Sequence, residues 1–109
     1  MRTAQVRQAA LALPEATEAP HFDYASFRIR GKIFATLPPD GQHLHVFVGD
    51  AERERALALD AAFLEPLRWG AKVVGLRVRL AAARPDVTRA LLREAWRRKA
   101  PKSLHAQLR

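Results

Sequence analysis

Phe27-Arg28-Ile29-Arg30-Gly31-Lys32-Ile33-Phe34-Ala35-Thr36-Leu37 is the stretch that decides the fold. Apolar and polar residues alternate along both arms, and Gly31 sits between them. Alternation with period two marks a strand, because successive side chains point to opposite faces of a sheet. A glycine between two such arms marks a tight reversal. The stretch is therefore predicted to be an antiparallel β-hairpin turning around residues 30–32.

Downstream, Pro38-Pro39-Asp40-Gly41 has the chemistry of a second turn. Leu44, Val46 and Val48 then alternate along a third strand. Gly49-Asp50 opens a helix to about Leu59, with Asp50 as N-cap. Residues 60–72 fit either a short strand or an irregular connection around Phe63, Leu64, Leu67 and Trp69. Val74, Leu76, Val78 and Leu80 alternate with Gly75, Arg77 and Arg79, which predicts another strand over 73–80. Pro85-Asp86 starts a helix to about Lys99, with Val87, Leu91 and Ala95 as its inward stripe. Pro101 ends it, and residues 102–109 form a short turn or a loose tail. Upstream, residues 3–12 read as a helix with Thr3 as N-cap and Val6, Ala9, Ala10 and Leu13 on one face, stopped by Pro14. Residues 14–26, with Pro14, Pro20 and several acidic groups, read as a loop. This order predicts an α+β fold: an antiparallel sheet of about four or five strands with three helices packed on one face.

At 109 residues the chain suits one domain, 1–109, and its 49% hydrophobic content suffices for a core of that size. The absence of cysteine excludes disulfides and Cys-based metal or redox chemistry, and cytoplasmic residence is the simple inference. No apolar run approaches the roughly 18 residues of a spanning helix, nor the uninterrupted core of a secretory signal, so no membrane association is expected.

The net charge of +8 is uneven: −2 over residues 1–66 and +10 over residues 67–109. A basic half of this kind is the electrostatic footprint of a polyanion binder. Most of the basic residues are arginine, which also fits a chain that carries arginine on its surface by default.

Alternation places Phe27, Ile29, Ile33, Ala35, Leu37, Val74, Leu76, Val78 and Leu80 on the core side of the sheet. The opposite face then carries Arg28, Arg30, Lys32, Phe34, Arg77 and Arg79, joined by His45 and Phe47. Guanidinium groups bind phosphate bidentately and rings stack on unpaired bases, so this face suits nucleic acid. The bland reading is a solvated sheet face with Phe34 and Phe47 covered by a helix. On the last helix Arg89, Arg93 and Arg97 recur every four residues and line one stripe that can follow a phosphate backbone. Basic residues at a helix C-terminus also complement its dipole, which accounts for Arg97, Arg98 and Lys99 better than for Arg89.

His43 and His45 share one side of a strand, but a metal site needs a third ligand at a fixed geometry, and no metal is expected. Ser26 and Ser103 lie in no nucleophile motif, there is no Gly-rich phosphate loop, and Glu15, Glu18 and Asp23 read as a solvated acidic loop. No catalytic residues or cofactor are therefore expected. Trp69 and Trp96 read as core or core-edge residues, each with its indole N–H near water.

Three stretches carry a resemblance: LPEATEAPHFDYASFRIRGKIFATL at 13–37, WGAKVVGLRVRL at 69–80 and LLREAWRRKAPKSL at 91–104. Together they resemble the MmcQ/YjbR family of small bacterial proteins over nearly the whole chain. The resemblance implies a compact fold related to frataxin-like and secretion-chaperone-like sheets. It also implies DNA binding, the label such proteins commonly carry, and brings no catalytic residues or cofactor with it. The expected function is thus DNA binding without strong sequence preference, through Arg28, Arg30, Lys32, Arg77 and Arg79, extended by Arg89 and Arg93. The alternative is a protein-interaction module that meets an acidic partner on the same face.

Overall fold

The computed structural model describes residues 1–60 and 62–108. Its elements run α1 (Thr3–Leu11), β1 (Ala16–His21), β2 (Tyr24–Ile29), β3 (Lys32–Leu37), β4 (His43–Val46), α2 (Asp50–Asp60), β5 (Leu64–Trp69), β6 (Lys72–Arg79) and α3 (Pro85–Lys99). Short 3-10 turns follow β6 and α3, at Leu80–Ala82 and Lys102–Gln107. Ala61, within the stretch read as strand or connection, and Arg109, the last residue of the tail, lie outside the described residues.

The hairpin forms as predicted. Arg30 (φ 52°) and Gly31 (φ 80°) are both left-handed, as a two-residue type I′ turn requires. The sheet has six strands rather than four or five, in the order β1-β2-β3-β4-β6-β5, every neighbouring pair antiparallel. The two additional strands are its edges. β1 occupies part of the stretch read as a loop, and β5 settles residues 64–69 as a strand. Each contains a proline, Pro20 and Pro66, and an edge is where a strand tolerates the missing N–H. Charges on these edges, Glu18 and Glu65, also discourage pairing with a further chain.

Cross-strand register sorts the side chains into rows. One row, Phe27, Ala35, Val46 and Leu76, runs under the helices. The next, Ser26, Thr36, His45, Arg77 and Glu65, runs across the outer face. Core-side residues of the sheet meet Val6 and Ala10 of α1 and Leu91, Leu92, Ala95 and Trp96 of α3, while Ala56 and Leu57 of α2 pack against the same core. The buried stripe of α3 includes the predicted Leu91 and Ala95 and adds Thr88, Leu92 and Trp96, while the predicted Val87 packs half-buried against the same core. Trp96 is fully buried, and its indole N–H donates to the Pro14 carbonyl at 2.9 Å instead of facing water.

Two β-bulges correct the predicted faces. Between β2 and β3 the register shifts at Phe27/Arg28, leaving Phe34 as the extra residue. Phe34 and Ala35 both turn inward, so Phe34 is fully buried where alternation put it outside, and Ile33 becomes a half-buried outer residue paired with Arg28. Between β5 and β6 the shift at Leu67/Arg68 makes Val74 the extra residue, and Val74 is half-buried, not core. Beside it, Gly75 passes the end of β4 so closely that a Cβ there would lie 2.1 Å from the Val46 carbonyl oxygen.

Candidate functional site

The seven basic residues singled out from the sequence do not form one surface. Arg28 lies on the outer face, but its Nε donates to Ser26 Oγ at 3.0 Å. Arg30 sits in the hairpin turn and clamps Glu15 with two bonds of 2.9 and 3.2 Å; these bonds hold the Glu15 carboxyl below its ordinary pKa. Lys32 lies close enough to Lys99, at the end of α3, for its charge to act there. Arg77 stands on the outer face between two carboxylates, 3.8 Å from Asp40 and 3.6 Å from Glu65. Arg79 donates to the Ala62 carbonyl. Arg89 and Arg93 line a cleft with Gln5, Gln8 and Leu13 in the helical layer, away from the outer face.

His43 and His45 share one side of β4, as alternation predicts, but differ in their surroundings. His43 Nδ1 is 2.7 Å from Asp40 Oδ2 and 3.2 Å from an Arg77 nitrogen. A nitrogen that donates to the carboxylate cannot accept from the guanidinium, so the shorter contact is the hydrogen bond. Asp40 is held below its usual range mainly by the Gln42 backbone N–H, with the His43 side chain adding to it. Burial lowers the pKa of His45 to about 4, and the charges of Arg77 and His43 act in the same direction. The His45 ring is therefore neutral at neutral pH, and its buried Nε2 has no hydrogen-bond partner among the described residues. Among the described residues no group of three or more His, Asp or Glu side chains gathers to hold a metal ion.

What the fold does bring together is a groove of about 800 Å³ on the outer face. Tyr24, Thr36 and His45 form its centre, and the two bulges add Ile33, Val73 and Val74. Its aromatic walls come from three places. Phe22 is 91% exposed at the tip of the two-residue β1–β2 loop, with φ 58°, a conformation costly for a bulky side chain. Trp69, read from the sequence as core or core-edge, is instead 66% exposed at the β5–β6 turn. Phe47 meets it as an edge-to-face pair, centroids 6.2 Å apart and planes at 66°. Lys72, Arg98, Lys99 and the Asp50-paired Arg53 border the groove. Among the described residues, Lys72, Arg98 and Lys99 pair with no carboxylate. Lys99 is pushed below its ordinary pKa by burial and then by the charges of Arg98 and Lys32.

His45 and Phe47 are placed on this face by alternation. Phe22, Tyr24, Trp69, Lys72, Arg98 and Lys99 escape that reading. A signal for two of them is present: Phe22-Asp23 and Gly70-Ala71 are two-residue reversals, which put Phe22 at one hairpin tip and Trp69 beside another. The groove thus sets exposed aromatic rings and a partly apolar floor beside cations, of which Arg98 also donates to the Phe47 carbonyl at 3.3 Å.

A family model described as YjbR matches residues 11–98, from the end of α1 almost to the end of α3. No curated protein matches the sequence.

Proposed function

The chain belongs to the YjbR family, and we propose that this member binds nucleic acid without strong sequence preference, taking unpaired bases into its outer-face groove. The observation that carries this reading is the exposure of Phe22 and Trp69 beside Lys72, Arg98 and Lys99, which pair with no carboxylate among the described residues. Base–aromatic stacking contributes about 1–3 kcal/mol per base and tolerates any sequence, because every base has a π-face. Lys72, Arg98 and Lys99 supply the phosphate contacts. A duplex is the poorer ligand. Its phosphates need a broad continuous cationic surface, and here Asp40 and Glu65 offset Arg77 while Arg89 and Arg93 lie in the helical layer. The role is binding, not catalysis.

One observation favours a second reading. A phenylalanine held almost fully exposed on a left-handed loop residue is also the kind of anchor that fills a pocket on a protein partner, here an acidic one. Titration of labelled single-stranded DNA, RNA and duplex DNA separates the two. Single strands should bind more tightly than duplex, and heparin should compete. Absence of binding to all three at about 50 mM salt, where such contacts are strong, would refute the nucleic-acid reading.

A further inference from the structure

We infer, building on the nucleic-acid reading, that the unit recognised by the groove is one nucleotide: a base on the Trp69–Phe47 corner and a phosphate at the Arg98–Lys99 end, so that a free mononucleotide is itself a ligand.

Size and shape come first. About 800 Å³ falls within the usual range for small-molecule sites, roughly 300–1,000 Å³. Trp69 and Phe47 stand at 66° to each other, so a flat ring lying on one is met by the edge of the other. Ile33, Val73 and Val74 make the floor apolar.

Charge then limits the ligand to one phosphate. α3 ends in Arg97, Arg98 and Lys99, whereas a helix C-terminus carries only about half a negative charge to offset. Arg97 has Glu94 at 3.8 Å, whereas among the described residues Arg98 and Lys99 pair with no carboxylate; Arg98 donates to the Phe47 carbonyl at 3.3 Å, and Lys32 crowds Lys99. A phosphate relieves that repulsion. Farther along the outer face the polarity reverses: Asp23 borders the groove, and Asp40 and Glu65 hold Arg77. A phosphate chain crossing the sheet would meet those carboxylates, whereas at the α3 end the groove's carboxylate, Asp50, is already paired with Arg53.

Trp69 reports the event directly. Trp96 is buried and bonded to Pro14, so Trp69 is the indole that a ligand can touch. Adenosine monophosphate, adenosine and ribose phosphate are titrated into the full chain, with intrinsic fluorescence as the readout. Saturable quenching by adenosine monophosphate is expected, with binding about tenfold or more weaker for either fragment, as the loss of a charged hydrogen bond or of a stacking partner implies. Trp69→Phe should abolish the signal. Lys99→Gln should weaken adenosine monophosphate but not adenosine. Equal affinity for adenosine and its monophosphate would overturn the phosphate subsite, and no saturable quenching up to about 10 mM, a weaker affinity than small ligands with a built site show, would overturn the whole assignment. A labelled strand is titrated in parallel. Strand binding without mononucleotide binding refutes this inference and leaves the broader reading standing; mononucleotide binding without strand binding refutes only the broader reading.

Discussion

Charge reversal of expectation gives the sharpest test of where a nucleic acid would lie. Two sets of substitutions are compared: Lys72→Gln with Arg98→Gln and Lys99→Gln, against Arg77→Gln with Arg79→Gln. Alternation along the strands favours the second set as the contact; ion pairing favours the first. Arg77 already lies within 4 Å of Asp40 and Glu65, so removing it releases no phosphate contact. Lys72, Arg98 and Lys99 have no such partners among the described residues. On single strands each neutralised phosphate contributes about −0.7 to the slope of log K against log salt, so three contacts give a slope of about −2. Raising salt from about 50 to 200 mM should then weaken the unmodified protein about twentyfold. The triple variant should lose nearly all of that dependence, and the Arg77/Arg79 variant should keep it within about 0.3 of the original slope. Fluorescence anisotropy of a labelled oligonucleotide measures both, with circular dichroism confirming the fold. If the Arg77/Arg79 variant loses about 1.4 units of slope and the triple variant loses none, the groove is the wrong surface.

Two further outcomes follow from the packing and the titration behaviour. Gly75→Ala would set a methyl group 2.1 Å from the Val46 carbonyl oxygen. β4 and β6 would have to part, at a cost of about 3 kcal/mol or more, and a loss under about 1 kcal/mol in denaturant melts would mean the strands are not so close. His45 has a pKa of about 4 in the folded chain against 6.5 when unperturbed. As pH falls the unfolded chain takes up the proton first, so this contribution is complete above about pH 6.5 and is lost progressively toward pH 4. With solvent screening of a partly exposed ring it amounts to about 1–2 kcal/mol. His45→Gln should flatten the pH dependence of stability over that interval, and an unchanged profile would refute the assignment.

The hairpin at 27–37 was legible because the strand period and the turn residue agree: Gly31 accepts φ 80°, and the arms alternate in sequence. The edge strands were not. β1 buries none of its residues fully and β5 buries only Leu64 and Leu67, so neither shows period two, and each contains a proline that argues against a strand unless the strand lies at an edge. Position in the sheet is a long-range property, and no local window contains it. The ion pairs were hidden for the same reason. Arg77 reads as a free cation on a strand until Glu65 is known to stand opposite it and Asp40 to close the far side.

The misassigned faces have a common cause, and it is also what shapes the site. Alternation assumes an unbroken ladder, and each bulge adds one residue and reverses the parity beyond it. At Phe34 the reversal moves a large ring into the core and turns Ile33 outward; at Val74 it sets Val73 and Val74 side by side under Trp69 and Lys72. Without these shifts Ile33 and Val74 would point under the helices, and the groove would lose part of its apolar floor. The irregularities that make the sequence hard to read are therefore not incidental to the proposed site. Deleting Val74 to restore a regular β5–β6 ladder should leave the strands paired but narrow the groove, and Trp69 fluorescence would then no longer respond to ligand. A regularised variant that binds as well as the parent would separate the bulge from the function.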